Sequence, residues 1–524
     1  MSWAVSTTVL RRRVVKLTAA AFALIGLRLC GGSGFAQTNL SNATPLALRD
    51  AIHTALRNNR LLQIERINPK LARAALSGAW AAYDPLFFGQ ADRENASDAG
   101  GFDPADPNAD AVYSAQSEVV RMSLTGLLPS GLSYTLNTDY AYASGTRNFL
   151  TFESYRHTAN ATARQPLLRN FWIDQPRYTI RVNRNNIKIN EHGVRFVAMT
   201  VASQVRQAYS ELAFAWENQR VEQDLLQTRS SFLRGIQRQV EVGTFTVLEE
   251  RLAQSQEAAV KTTLIAASNA IMMAGNNLKT LMGYTATNWS PEVFSPTDGL
   301  IVIPRRFHLV TSWDRGLIYR PDLAQLNYEV KNAQVNVKFR RNQLFPSLDI
   351  FGSYGRRGSS SLQTFTPDPP TASFSEAWGQ VERGDAPSDT VGLILTFPLS
   401  MSAERASFRE SKLLRQQADL RVKEKEELIM REVADAIEFA QSSYARLQAA
   451  REATRYAEEA LKAEEEKLRG GKSSIFVVLQ LQTDLSIART REITAKRDYN
   501  LALAQLDLAE GTILDHEKID LEIE

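Results

Sequence analysis

The 524-residue chain is poor in cysteine and histidine, with one and five residues respectively. Its one cysteine, Cys30, excludes an intramolecular disulfide and any metal site made of several thiolates. Its glycines form neither a phosphate-binding loop nor a Gly-x-Ser-x-Gly turn between a strand and a helix. We therefore predict that the protein is not an enzyme and has no cofactor and no metal. The five histidines have no ligand partner at helical or hairpin spacing: His53, His157, His192, His308 and His516.

The first 36 residues have the layout of a secretory signal peptide. Residues 11–16 are rich in arginine and lysine, residues 17–25 form a short apolar core, and Gly34 and Ala36 supply small side chains at the two positions that a signal peptidase reads. We predict cleavage after these small residues, so that the mature chain begins at Gln37. A transmembrane anchor is the weaker alternative, because the apolar stretch is short and is followed by Arg28.

The same segment carries the sole thiol and much of the basic charge. Lipid attachment at Cys30 is disfavoured, because Leu29 is bulkier than the residue that usually precedes an acylated cysteine. Removal of residues 1–36 takes away five basic groups and no acidic group, and the formal net charge changes from +3 to −2. The mature chain then has no basic surface that would indicate nucleic acid as a partner, so we predict none.

Four segments are predicted to form long helices, because they contain few helix breakers and a narrow apolar stripe at three- and four-residue spacing. The two longest are each about 65 residues, on the order of 100 Å at 1.5 Å per residue. No compact domain buries a helix of that length, so a coiled coil or a helical tube is expected. The four predicted helices are 175–241, 246–282, 402–469 and 474–510.

Short glycine turns separate the helices of each pair and predict two antiparallel hairpins. Gly243 and Gly471 suit the left-handed position that follows a helix, and Thr246 and Ser474 suit the N-caps of the returning helices. The turns are placed near 241–246 and 469–474. Their tips, which we predict to be contact surfaces, comprise Gly243, Thr244, Gly471, Lys472 and Ser473.

Strands are predicted between the helical parts, where apolar and polar residues alternate, as in residues 132–142 and 391–397. Residues 92–118 and 355–389 are rich in Asp, Gly, Ser and Pro, and we interpret them as long polar loops between strands. An additional hairpin around residues 128–131 fits within the first half. The alternation alone does not distinguish a membrane barrel from a half-buried soluble sheet.

The two halves of the chain repeat one order: helix, strands, long helix, glycine turn and long helix. We expect prolines to mark the steps between strands and helices in both halves: Pro85, Pro166, Pro346 and Pro398. The predicted division is a signal at 1–36, a first repeat at 37–283, a linking or equatorial segment at 284–315, a second repeat at 316–510 and a tail at 511–524.

The mature sequence shows no apolar run long enough to cross a bilayer as a helix, so a membrane span would have to use strands that close into a barrel. With about two strands per half, one chain is too small to close alone, and three copies would give about twelve strands and twelve long helices. The hairpin at 128–131 leaves two alternatives open, namely eighteen strands per trimer or a flap outside the barrel.

The duplicated plan resembles the TolC-type outer-membrane efflux protein family over nearly all of the mature chain. The marks of the resemblance are the turns at 242–248 and 471–478 and the Pro-Leu steps at Pro166 and Pro398. It implies an α+β membrane protein, a homotrimer with a shared β-barrel in outer-membrane lipid and a helical tunnel in the periplasm. It also implies a passive exit duct that docks on a periplasmic adaptor (membrane fusion) protein and an inner-membrane pump.

The resemblance also implies a constricted periplasmic end, often lined by carboxylates six and nine residues after the second glycine. Here those positions hold Val477 and Gln480, so the sequence departs from the pattern. Glu249, six residues after Gly243, is the nearest candidate for a charged ring. The other candidates for this aperture are Glu250, Gln480 and Asp484. A solvated acid at a helix start, favoured by the helix dipole, is the alternative interpretation of Glu249 and Glu250.

Two classes of function are compatible with these features. One is the exit duct of a tripartite efflux or type I secretion system, and the sequence does not separate drug efflux from protein secretion. The other is a periplasmic coiled-coil scaffold, anchored at the outer membrane, that transports nothing. The repeated placement of strands between helix hairpins favours the duct.

Overall fold

A computed structural model describes residues 43–101, 111–147, 150–289, 291–364, 371–517 and 519. The predicted signal peptide and Cys30 lie outside these residues, as do residues 518 and 520–524 of the predicted C-terminal tail. The described chain is a bundle of long helices joined at one end to an antiparallel sheet.

The elements of the first half follow each other from a short strand to the first helix hairpin. They are β1 (Thr44–Leu46), α1 (Leu48–Asn58), α2 (Arg60–Glu65), α3 (Ile67–Trp80), β2 (Leu86–Gly101), β3 (Ala111–Leu127), β4 (Ser133–Arg147), β5 (Leu150–Pro166), α4 (Gln175–Glu241) and α5 (Val247–Leu281).

The second half contains fewer strands and ends with a second helix hairpin. Its elements are β6 (Phe294–Pro296), α6 (Leu309–Tyr319), α7 (Pro321–Asn342), β7 (Ser347–Thr364), α8 (Phe374–Arg383), β8 (Pro387–Thr396), α9 (Ser402–Arg469), α10 (Ile475–Ala509) and α11 (Ile513–His516).

The four long helices agree with the sequence prediction to within a residue at each end. Helices α4 and α9 contain 67 and 68 residues, and α5 and α10 contain 35 residues each. Asp174 caps α4 by accepting a hydrogen bond from the backbone of Arg177, and Pro176 occupies its first turn. Each long helix packs against the returning helix of its own hairpin, and α4 also packs against α10.

Six strands form one continuous sheet in the order β2-β3-β4-β5-β7-β8, with every neighbouring pair antiparallel. One chain thus has six strands in this sheet rather than the predicted four, and the number of barrel strands per trimer stays a prediction. Residues 92–118, interpreted as a loop, largely continue β2 and begin β3. Their polar side chains obscured the strand pattern, because they stand on both faces of these strands, with Asp92 on the polar face and Gln116 on the face of Met122.

The segment 355–389 was also misinterpreted as a polar loop. It continues β7, contains α8 and begins β8. Ser373 caps α8 through a hydrogen bond from the backbone of Glu376, and Gly384 ends it in the left-handed conformation with φ of 76°. The sequence thus holds the start and stop signals of a helix.

The sheet has one apolar face and one polar face, because the strand register keeps alternate residues in line across all six strands. The two edge strands, β2 and β8, have their outer backbone edges unpaired in the described chain. Residues in register on the apolar face include Met122, Leu124, Leu136, Ile350, Leu393 and Leu395. Residues in register on the polar face include Asp92, Arg121, Asn137, Asp139, Thr158 and Asn160.

The largest buried core lies where α1, α4, α5 and α11 meet, away from the sheet. Val194, Val205 and Leu212 of α4 are fully buried there. A second cluster joins α6 and α7 to α9 and α10, and a third lies beside the two hairpin turns. The apolar seams predicted from the sequence therefore form the helix–helix contacts.

One described helix, α5, is long and apolar enough to cross a membrane by composition, with a mean hydropathy of 1.2 in its most apolar window. This differs from the expectation that the mature sequence contains no such run. Its charged first turns and its packing along α4, however, make it one arm of a helix hairpin.

Candidate functional site: a polar sheet face and two helix-hairpin tips

Ion pairs and hydrogen bonds connect the side chains on the polar face of the sheet. Arg121 Nη1 lies 3.3 Å from Asp92 Oδ2, across β2 and β3. Asp139 accepts hydrogen bonds of 3.2 Å from Asn137 and from Thr158. The face thus presents charges of both signs and amides, which suit contact with water rather than with lipid.

All four predicted prolines lie at the end of the sheet from which the helices depart. Pro85 and Pro346 directly precede β2 and β7, Pro166 is the last residue of β5, and Pro398 follows β8 by two residues. Proline donates no backbone hydrogen bond, so it suits the ends of strands. The sheet therefore meets α3, α4, α7 and α9 at one junction.

The two hairpin tips have the same backbone geometry. Gly243 and Gly471 have φ of 78° and 69°, and a Cβ atom at either position would meet nothing within 4 Å. Thr244 N donates to Gln239 O at 2.8 Å, and Lys472 N donates to Lys467 O at 2.9 Å. Gly243 N donates to Val240 O, and Gly471 N to Leu468 O, both at 3.0 Å. Each tip thus has the two hydrogen bonds of a Schellman motif, which closes the last turn of a helix.

Glu249 has a local structural role at the start of α5. Its Oε2 accepts hydrogen bonds from Thr246 N at 2.7 Å and Thr246 Oγ1 at 3.0 Å. Glu249 N in turn donates to Thr246 Oγ1 at 3.4 Å, which completes a capping box. The alternative interpretation of Glu249, as a solvated acid at a helix start, did not include this reciprocal pair of hydrogen bonds. The predicted charged ring remains a prediction.

The other candidate aperture residues also have partners within the chain. Glu250 Oε1 accepts from Gln237 Nε2 at 3.2 Å and from Gln254 Nε2 at 2.9 Å. Gln480 Nε2 donates to Asp484 Oδ1 at 3.0 Å. The structure thus places Glu249 and Glu250 on the first hairpin and Gln480 and Asp484 on the second. Further copies of the chain are required before these side chains can surround an opening.

The second tip is tied back onto its own hairpin. Ser473 Oγ donates a 2.6 Å hydrogen bond to Glu464, which also lies 3.0 Å from Lys467. These contacts lower the pKa of the Glu464 carboxyl. Ser474 occupies the predicted N-cap position of α10, although its side chain makes no capping hydrogen bond.

Arg229, about three to four helical turns from the first tip, joins the two hairpins. It is 2% exposed, and its Nη2 donates to Leu479 O at 2.7 Å and to Thr483 Oγ1 at 2.6 Å, both on α10. Burial lowers the pKa of the guanidinium. Sequence reasoning missed this contact, because 250 residues separate the donor from the acceptor.

A buried ionic cluster fixes the far end of α10 to the first half of the chain. Asp507 is 2% exposed and lies 2.7 Å from Arg206 Nη1 and 2.8 Å from Arg305 Nη1. His516 Nδ1 is 3.2 Å from the same carboxylate. Burial alone would raise the pKa of Asp507, but hydrogen bonding to His516 and the charge of Arg206 lower it to about 2.

His516 is therefore not the isolated histidine that the sequence suggested. Its hydrogen bond to Asp507 raises the pKa of the imidazole. Among the described residues, no group of three or more His, Cys, Asp and Glu side chains is arranged to hold a metal ion.

Comparisons with known proteins find one matching family model and one curated relative. The model of the family described as outer membrane efflux protein matches residues 314–512. Probable outer membrane lipoprotein SilC of Salmonella typhimurium is 20% identical over 256 residues, which are 49% of this chain and 51% of SilC. The match thus spans about half the length of that curated relative.

Solved channel structures share the fold over most of the chain. A structure of CusC superposes with a TM-score of 0.62 at 16% identity, covering 90% of this chain and 93% of CusC. The outer membrane channel CmeC of Campylobacter jejuni gives 0.59 at 16% identity, covering 89% and 85%. The open-state outer membrane channel MtrE of Neisseria gonorrhoeae gives 0.60 at 15% identity, covering 89% of each chain.

The fold is therefore that of an outer-membrane efflux channel. The resemblance to TolC-type outer-membrane efflux proteins, predicted from the sequence, is confirmed by the family match and by the shared fold.

Proposed function

We propose that this protein is the outer-membrane exit duct of a tripartite efflux or type I secretion system, a passive conduit from the periplasm to the exterior. The observation that carries the proposal is the sheet. Its six strands share one apolar and one polar face, and two helices of 67 and 68 residues extend from one end of it, each paired with a returning helix of 35 residues. An apolar exterior, a polar interior and a helical extension are what a membrane-spanning duct requires.

The sheet needs further copies of the chain to close. In a membrane, the unpaired edges of β2 and β8 would be left without backbone partners, which is costly in lipid. Because β2 and β8 run in opposite directions, β8 of one copy can pair with β2 of the next in an antiparallel ladder. The chain also exposes 33326 Å², against about 19,000 Å² for a compact monomer of this mass.

We assign three copies to the ring, with eighteen strands and twelve long helices. Six strands spaced about 4.8 Å apart and tilted about 40° occupy about 38 Å of the barrel's circumference. Four helices about 10 Å apart occupy about 40 Å of the tunnel's circumference. The barrel and the tunnel then have nearly equal circumference, whereas four strands per chain would leave the barrel narrower. The hairpin formed by β3 and β4 therefore belongs to the wall rather than to a flap.

The helix-hairpin tips are proposed to dock on a periplasmic adaptor protein, which links the duct to an inner-membrane pump. Val242 and Leu248 at the first tip are each 78% exposed, and Phe476 at the second is 62% exposed. Exposed apolar side chains grouped at a helix end are typical of a protein contact surface. The open space beside Gly243 and Gly471 would let a partner approach the backbone.

Leu248→Ser and Phe476→Ser test the docking surface. Each should weaken recovery of the adaptor in pull-down experiments, while the oligomer mass in detergent stays unchanged. Leu413→Ser is the matched control, because Leu413 is 60% exposed on α9 but lies far from the tips. Equal recovery with all three variants would exclude the tips as the docking surface.

Single-channel conductance tests the duct. Purified protein in a planar bilayer should give discrete conductance steps, and its mass in the same detergent should correspond to three chains. A monomer without conductance would instead support the periplasmic scaffold. Conductance from a dimer would retain the duct but would reduce the wall to twelve strands.

A further inference from the structure

Helix α8 lies against the apolar face of the sheet, at the end opposite the long helices. After β7, the chain turns back, and α8 descends along the upper parts of β5 and β7. At Gly358 of β7, a Cβ atom would come within 1.9 Å of Ala377 O, so the glycine lets the helix backbone touch the strand. Ala377 and Val381 are buried against the sheet.

Both ends of α8 are fixed by hydrogen bonds. Glu153 of β5 accepts a 2.7 Å hydrogen bond from Ala372 N, just before the helix. Arg356 Nη1 donates to Val381 O and Glu382 O at 3.4 and 3.1 Å, which places a positive charge at the C-terminal end of the helix dipole. These hydrogen bonds hold α8 in a defined position against the sheet.

An aromatic cluster forms where α8 meets the sheet. The ring centroid of Phe374 lies 4.7 Å from that of His157 and 5.6 Å from that of Tyr140. The Trp378 ring lies 5.4 Å from His157. Phe374 and Trp378 nevertheless remain 50% and 42% exposed.

The position of this cluster relative to the prolines corresponds to the outer boundary of a bilayer. On β5 and its continuation, ten residues separate His157 from Leu167, which lies at the junction with the helices. Ten residues of a strand tilted about 40° span about 25 Å of membrane normal, which is the height of the apolar band of outer-membrane barrels. Trp and Tyr side chains are enriched at this boundary.

The exposed rings point away from the edge at which another copy would join. They contact β4 and β5 of their own chain, whereas the next copy would pair with β8. They also lie on the opposite face from Asp139 and Asn160, and thus outside any lumen. The occupant that fits this surface is lipid.

We propose that α8 is an interfacial helix that inserts Phe374 and Trp378 into the headgroup–acyl boundary of the outer leaflet. This inference rests on the proposed barrel. The polar side of α8, including Glu376 and Arg383, would face the aqueous exterior. The helix would fix the height of the barrel in the membrane beside β8, which is a short strand.

Site-directed spin labelling in vesicles of dioleoylphosphatidylcholine tests the proposal. Single cysteines at Trp378 and Glu376 are labelled in the full chain, with the unsubstituted protein as a control for label at Cys30. Leu136→Cys and Asn137→Cys are matched neighbours on opposite faces of β4. Collision rates with oxygen report lipid exposure, and those with a water-soluble nickel chelate report water.

The expected result is an oxygen-to-nickel ratio that is several-fold higher at 378 than at 376, and higher at 136 than at 137. The depth at 378 should correspond to the headgroup boundary. An aqueous label at 378 together with a lipid-exposed label at 136 would overturn the inference and leave the barrel intact. Aqueous labels at 136 and 378 together would overturn both.

Discussion

Asp507→Asn should loosen the end of α10, because it removes the charge at the centre of the buried ionic cluster. The pKa of Asp507 is about 2 in the folded chain, against an ordinary value of 3.8. This difference corresponds to about 2 kcal/mol of stability at neutral pH. The value lies below the roughly 3–5 kcal/mol that removal of one partner from a buried ion pair costs.

The sign of the pH dependence follows from the lowered pKa. A carboxyl whose pKa is depressed by folding stabilises the folded state above its unfolded pKa of 3.8. That stability is lost as the pH falls from about 4 to about 2, when the carboxyl becomes protonated in the folded state as well. The Asp507→Asn variant should lack this component of the acid response.

Hydrogen exchange of the backbone amides near Leu506 and Glu510 measures the effect. At neutral pH, a loss of about 2 kcal/mol should accelerate their exchange about 30-fold in Asp507→Asn. Asp515→Asn is the matched control, because Asp515 is exposed on the adjoining helix α11. If Asp507→Asn changes exchange no more than this control, the ionic cluster does not hold the end of α10 in place.

Three further predictions concern the tips and the N-terminus. Glu249→Gln should reduce block by divalent cations in planar bilayers while α5 stays folded, because glutamine also completes a capping box; unchanged block would exclude a charged ring at this position. Gly471→Ala should lower stability by about 1 kcal/mol, measured as a shift in the thermal midpoint, because φ is 69° there; Gly235→Ala, inside α4, should not be destabilising. The intact mass of the exported protein should correspond to a chain that begins at Gln37, and a lipid-modified mass beginning at Cys30 would contradict the assigned signal peptide.

The long helices were predictable because local and tertiary signals agree along them. Few breakers interrupt the apolar seam of α4, Thr246 marks the start of α5, and Gly243 and Gly471 mark the turns. A seam of that length determines both the helix and its partner surface. The fold class followed from these helices and from the repeated order of elements.

The strand count was not predictable from local pattern alone. In β2, Asp92 and Glu94 lie on the polar face. A strand whose polar side chains face water carries the composition of a loop, so the alternation is weak in each single strand. Helix α8 was missed for a different reason, since Ser373, Glu376 and Gly384 supply its caps but stand within a stretch rich in Pro and Ser.

The candidate site was only partly accessible from the sequence. The tips and the prolines could be located by their turn chemistry. The contacts of Arg229 with α10, and those of Asp507 with Arg206 and Arg305, join residues that are distant in the chain. Only the packing of α4 against α10 brings those residues together.

Cross-linking of β8 to β2 of the next copy is the most direct test of the closed trimeric barrel. Phe87 lies near the start of β2, on the apolar face. In a closed barrel, it should lie at the same height as Leu393, Leu395 or Phe397 at the β8 edge of the neighbouring copy. Phe87→Cys is combined with a cysteine at each of these three positions in turn, and the protein is oxidised in outer membranes. We predict that one pairing converts the chain into a covalent trimer. A ladder that stops at two copies, or no cross-link in any of the three variants, would contradict a closed wall of eighteen strands.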